Sequence, residues 1–108
     1  MTYPILITKA ASLDLEEIVI WIAEHDSPSK ANRVLDRLTE TIAGIAALPR
    51  RGSRPRELPP GIHADYRQVF FKPYRVIYEA TPTAIVIHAI VDGRRDLQSL
   101  LVRRLTVD

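Results

Sequence analysis

Ala31, Val34, Leu35, Leu38, Ile42 and Ile45 step along the chain by three, one, three, four and three residues. An α-helix puts that spacing on one face, and so long an apolar stripe must be buried against something. The ends of the helix are written beside it. Ser27 is an N-cap, and Pro28 takes the first helical position, where its missing N–H does no harm. Leu48 and Pro49 close the helix, because the residue before a proline is pushed out of the helical region. Upstream, ASLDLEEIVIWIAEH places Ala11, Leu15, Ile18 and Ile22 on one face with Val19 beside them, which predicts another helix ending near His25. Its expected N-cap is Ser12, with Asp14, Glu16 and Glu17 in a first turn whose dipole favours negative charge. The two helices form an antiparallel hairpin with a very short turn.

The remaining segments supply a sheet. YPILIT, from Tyr3 to Thr8, reads as a short strand that Pro4 demotes toward an edge. RRGSRPRELPPG, from Arg50 to Gly61, holds four arginines, three prolines and two glycines and reads as one long loop. ADYRQVFF, YRVIYEA and AIVIHAIV follow, joined by links short enough for an antiparallel meander. The last of these is apolar on both faces, as a strand covered on both sides or central in the sheet should be. Asp92-Gly93 then turns the chain, and Asp96 caps a final helix whose apolar face is Leu97, Leu100, Leu101 and Leu105. This order predicts an α+β fold: an N-terminal strand, an antiparallel helical hairpin packed on a small antiparallel sheet (β-α-α-β-β-β), and a short C-terminal helix. With both long helices on one face of the sheet, the opposite face is expected to be partly open.

The 108 residues, 46% hydrophobic and 26% charged, have room for one domain spanning 1–108. The absence of cysteine excludes a disulfide frame and any Cys-based zinc site. No apolar run approaches the roughly 20 residues of a membrane span, and MTYPILITKA lacks the charged start and long apolar centre of a signal peptide, so a cytoplasmic protein with no membrane partner is expected. Charge is unevenly spread. Up to Leu48 there are four basic and seven acidic residues; from Pro49 onward there are eleven basic and six acidic. A basic second half is suited to an acidic or polyanionic partner, although a normally solvated surface accounts for the count as well.

Chemistry-bearing patterns are few. His25, His63 and His88 are isolated, with no helical pair and no carboxylate at ligand spacing, so neither a metal nor another cofactor is expected. There is no glycine-rich phosphate loop and no nucleophile elbow. The conspicuous residue is Arg75, in the middle of YRVIYE, since an unpaired charge in a small sheet is costly. It must reach water, a ligand, or an acid such as Asp65 or Glu79, and it can cluster with Arg67 if the strand register brings them together. Metal-free RNA cleavage needs an acid, a base and cations near the developing charge. Arg75 and Arg67 supply cations and Glu57 or Glu79 a carboxylate, but no tyrosine follows Tyr78 and the one later histidine is mid-strand. The residues therefore favour binding over catalysis. A glutamate or histidine poised within contact distance of Arg75 in an open cleft would overturn the non-catalytic assignment and make the ribonuclease the better reading. Trp21 is most simply explained as packing within the hairpin.

Four segments in order, SLDLEEIVIWIAEHDSPSKA, IAALPRRGSRPREL, YRQVFFKPYRVIYE and AIVDGRRDL followed by two leucines, resemble the RelE/ParE superfamily of toxins from bacterial type II toxin–antitoxin systems. The resemblance runs from about Ala10 to Leu105. It implies the hairpin-on-sheet fold and a cognate antitoxin that threads a segment across the toxin, with Ile18, Trp21, Ile22 and Leu38 as contact candidates. The RelE-like branch consists of ribosome-dependent messenger-RNA endonucleases, in which the position matched by Arg75 is catalytic, whereas ParE-like members poison DNA gyrase and lack the nuclease residues. The GRRD ending and leucine-rich tail resemble the ParE side, with Asp92 where many ParE-like sequences carry a histidine, so no residue role carries over at that turn. The resemblance thus implies a gyrase-binding toxin with no chemistry of its own, and Arg94, Arg95, Arg75 and Arg67 are the candidate gyrase or anion contacts. The alternatives are a ribosome-dependent ribonuclease using Arg75, Arg67 and Glu57, and a degenerate binding module. Oligomeric state is left open.

Overall fold

The computed structural model describes residues 2–106; Met1 and the last two residues, which the single-domain expectation also spans, lie outside them. The elements run β1 (Ile5–Ile7), α1 (Lys9–His25), α2 (Pro28–Ala47), β2 (Tyr66–Phe71), β3 (Tyr74–Ala80), β4 (Ile85–Asp92) and α3 (Leu97–Thr106). The expected α+β order is therefore present. Ser27 caps α2, its hydroxyl accepting from the Lys30 N–H at 3.0 Å, and Leu48 is the C-cap. The start of α1 differs from expectation. The cap is Thr8, whose hydroxyl accepts from the Ala11 N–H at 3.1 Å, and Ser12 lies inside the helix. Starting four residues earlier moves Asp14, Glu16 and Glu17 out of the first turn.

The sheet order is β1-β4-β3-β2. β2, β3 and β4 form the antiparallel meander, and β1 lies parallel to β4 at the edge, with Ile5 opposite Ile85 and Ile7 opposite Ile87. Both faces of the central strands are apolar. Val76, Tyr78, Ile85, Ile87 and Ile90 pack beneath the hairpin with Ile22, Leu38 and Ile45. On the other face Ile77, Ala89 and Val91 meet Leu97, Leu100 and Leu101 of α3. A bulge reconciles the two sets: Ile77 pairs with Ala89 but Tyr78 pairs with Ile87, so His88 is the extra residue and the inward parity of β4 switches there. The far face is thus closed by α3 over β3 and β4, and open only over β2, where Phe70 is exposed.

β1 is too short to cover all of β4. Beyond Ile87 two side chains take over the missing strand's hydrogen bonds: the Ile90 N–H donates to Asp14 Oδ2 at 3.0 Å, and Arg104 Nη1 donates to the His88 carbonyl at 3.0 Å. Asp14 and Arg104 close on each other through two further bonds of 2.6 and 2.7 Å. This pair ties α1, β4 and α3 together, and Asp14 is one of two buried polar or charged residues among those described.

Candidate functional site

The two-residue turn at Lys72-Pro73 pairs Phe71 with Tyr74 and so sets the whole β2–β3 register. Arg75 falls opposite Phe70, and Gln68 opposite Ile77, so Arg75, Phe70 and Gln68 share the open far face. Arg67 pairs with Tyr78 and points to the other face. The Arg67/Arg75 cluster admitted by the sequence therefore does not form. Instead Arg67 donates to Asp65 at 2.9 Å and to the carbonyls of Arg50 and Gly52 at 3.0 and 2.8 Å. It holds the basic loop in place.

That loop is stapled at several points. Tyr78 donates its hydroxyl hydrogen to the Pro49 carbonyl at 2.8 Å and accepts from the Gly52 N–H at 3.1 Å. Ser53 and Gln68 form an antiparallel bridge, and Arg54 donates to the carbonyls of Ala64 and Ile62. Gly52 is needed for the close approach, since a Cβ there would lie 2.5 Å from the Gln68 carbonyl oxygen. Leu58 packs against the second core cluster.

Held this way, the loop delivers Glu57 to Arg75. Arg75 Nη1 and Nη2 donate to the two carboxylate oxygens, each at 2.9 Å. Its Nε donates to Gln68 Oε1 at 2.9 Å, and its Nη2 is also bonded to that oxygen. The guanidinium carbon lies 5.8 Å from the Phe70 ring centre. The acid that answers Arg75 is thus Glu57, a loop residue, in place of Asp65 or Glu79. Asp65 bonds Arg67, and Glu79 bonds His88 at 3.1 Å. The Arg75 hydrogen bond holds the Glu57 carboxyl below the ordinary carboxylate range, outweighing the opposing effect of burial. The pair lines an open cleft of about 510 Å³ together with Arg56, Lys72 and Gly93. Neither a histidine nor a tyrosine lines it. No sequence motif marks Gln68, although counting back from the Lys72-Pro73 turn puts it on Arg75's face.

A second cavity, of about 490 Å³, brings Ile18 and Trp21 of α1 together with Tyr74, Arg94 and Arg95. Candidate antitoxin contacts and candidate gyrase contacts therefore share one hollow. Trp21 is 60% exposed and stacked on His25, ring centres 4.4 Å apart, so it is surface and not hairpin core. Ile22 and Leu38 are 5% and 0% exposed and belong to the core, which removes them as surface contacts. Helical spacing identifies an apolar face but does not distinguish its buried rows from its exposed margin. Arg94 is splayed over Asp92, with bonds of 2.9 and 2.6 Å from its side chain. The Arg94 contact pulls the Asp92 pKa down to about 2. Arg95 is exposed. No helix among the described residues is long and apolar enough to cross a membrane.

The chain has clear relatives. The family model described as the ParE toxin of the type II toxin–antitoxin system parDE matches residues 5–97. Toxin ParE3 of Caulobacter vibrioides is 29% identical over 97 residues, covering 90% of this chain and 93% of that protein. In solved structures, the fold is shared with a chain of the chromosomal ParDE system from P. aeruginosa, with a TM-score of 0.68 at 17% identity over 84% of this chain and 96% of that one. A chain of the RelBE2 toxin–antitoxin complex from Mycobacterium tuberculosis gives 0.62 at 20% identity, over 85% and 99%. An arginine-to-alanine double mutant of E. coli toxin RelE in the free state gives 0.64 at 11% identity, over 99% and 100%. The fold is shared with these three solved chains, and the family model runs from β1 to the first residue of α3. The chain belongs to the family of ParE toxins of type II toxin–antitoxin systems.

Proposed function

We propose that this toxin arrests growth by binding DNA gyrase, without chemistry of its own, and that a cognate antitoxin neutralises it by covering the Ile18 and Trp21 face of α1. What carries the reading is that Arg75 is answered from within the chain. Its acid is Glu57, held ionised by two hydrogen bonds from Arg75, and no histidine or tyrosine lines the cleft to deliver a proton to a leaving group. Membership of the ParE family supports the gyrase target, and Arg94 and Arg95 supply exposed cations beside an aromatic hollow.

One observation favours a second reading, a ribosome-dependent ribonuclease. Glu57 does stand against Arg75 in an open cleft, with Lys72 on its rim, which is the arrangement a nuclease would need for a base and cations. Its lowered pKa makes Glu57 a weak base, and this weighs against that reading. Controlled expression separates the two. Gyrase poisoning predicts a DNA-damage response preceding growth arrest. An immediate halt to translation, with new messenger-RNA ends that vanish in an Arg75→Ala variant, would replace it with the nuclease.

A further inference from the structure

We propose that Glu57 is a displaceable internal plug and that the Arg75 cleft it fills is a binding site for a phosphate group. The inference does not rest on gyrase being the target.

The receptor half of the site is built without Glu57. Gln68 Oε1 accepts from Arg75 Nε at 2.9 Å, the Phe70 ring lies beside the guanidinium, and the arginine stem runs along Gly93, where a Cβ would come within 3.1 Å of Arg75 Cδ. The fork is therefore fixed in plane, its two Nη atoms facing the cleft. Such a preorganised fork matches two oxygens of a carboxylate or a phosphate. Glu57 supplies the stand-in: its two carboxylate oxygens occupy the positions that two phosphate oxygens would take, 2.9 Å from Nη1 and Nη2.

The plug is the looser half of the pair. The side chain of Arg75 is 11% exposed and that of Glu57 is 31% exposed. Glu57 comes from a loop, whereas Arg75 and Gln68 come from paired strands. A carboxylate is also an incomplete match to the cleft. Arg56 and Lys72 line the same space, and among the described residues neither makes a side-chain hydrogen bond. One carboxylate, bonded to Arg75 and within electrostatic reach of Arg56, faces three cations. A phosphate monoester, with about two negative charges and three acceptor oxygens, meets the fork and has an oxygen left for Arg56 or Lys72. The cleft, about 510 Å³, has room for such a group and for an aromatic ring beside the exposed Phe70.

The test is a titration of the free toxin with inorganic phosphate, followed by 15N NMR of the Arg75 side chain and by calorimetry. Phosphate is expected to shift the Arg75 Nε–H resonance of the wild type. Glu57→Gln should bind phosphate about fivefold tighter, because a partly exposed ion pair no longer competes, and Arg75→Lys, which lacks the fork, should lose binding. A parallel titration with adenosine monophosphate identifies the source: tighter binding than phosphate points to a nucleotide, equal binding to the phosphate group alone. An Arg75 resonance that phosphate leaves unmoved in the wild type overturns the proposal, and so does a folded Glu57→Gln variant that binds no tighter.

Discussion

Replacing Arg104 by alanine removes three hydrogen bonds at once, two to Asp14 and one to the His88 carbonyl. It leaves Asp14, 7% exposed, with the Ile90 N–H as its remaining donor. Breaking a buried ion pair from one side costs about 3–5 kcal/mol, since an uncompensated charge stays behind. The Arg104 side chain is 20% exposed, so water partly fills the gap and the lower figure, about 3 kcal/mol, applies. That is a large share of the roughly 5–15 kcal/mol that holds a domain of this size together. At about 4–8 °C per kcal/mol, the melting temperature should fall by roughly 12–24 °C. Asp14→Ala should cost at least as much, because it also strands the Ile90 N–H, a loss of about 1–3 kcal/mol by itself. Urea denaturation of both single variants and the double variant measures the coupling, expected to exceed about 1.5 kcal/mol. Single losses below about 1 kcal/mol, or effects that simply add, would refute the view that this pair stands in for the missing length of β1.

Three smaller perturbations probe the site. Tyr78→Phe removes the hydroxyl that joins the Pro49 carbonyl and the Gly52 N–H; it should cost about 1–2 kcal/mol in a melt and loosen the basic loop, seen as faster amide exchange at Gly52. Glu57 has a folded pKa below its ordinary 4.5, so its pair with Arg75 stabilises the fold above about pH 4.5, and that contribution disappears as pH falls through the lower folded value. The stability gap between wild type and Glu57→Gln should therefore be widest near neutral pH and close on acidification; a gap that stays constant down to about pH 3 counts against the pairing. Trp21→Ala, at a site 60% exposed, should leave folding stability within about 0.5 kcal/mol but weaken antitoxin binding about tenfold or more, a split read by melting and calorimetry on the same sample.

How far the sequence disclosed this depends on how local the cause was. Ser27-Pro28 and Leu48-Pro49 mark the ends of α2 because caps and proline act over a few residues, and both ends lie where expected. The two-sided apolar pattern of AIVIHAIV also foretold the central place of β4, though not the bulge at His88 that lets it serve both faces. Thr8 and Ser12 both carry a hydroxyl able to cap α1, and the choice of Thr8 depends on where β1 releases the chain. The role of Asp14 was out of reach, because its partner Arg104 lies 90 residues away and no helical pattern announces it. The Arg75 site was half legible. The arginine stood out as a charge in a strand, and the turn length alone would have separated it from Arg67. Its partner Glu57 came from a loop whose path is fixed by Tyr78, Arg67 and Ser53, contacts that no local signal encodes.

The most direct test of the central claim, that this protein acts by binding gyrase and performs no chemistry, is to titrate purified toxin into a gyrase supercoiling reaction. The account predicts loss of supercoiling with trapped cleaved DNA and no new messenger-RNA ends. Unchanged supercoiling at high toxin concentration, together with cleavage of messenger RNA on translating ribosomes, would contradict it.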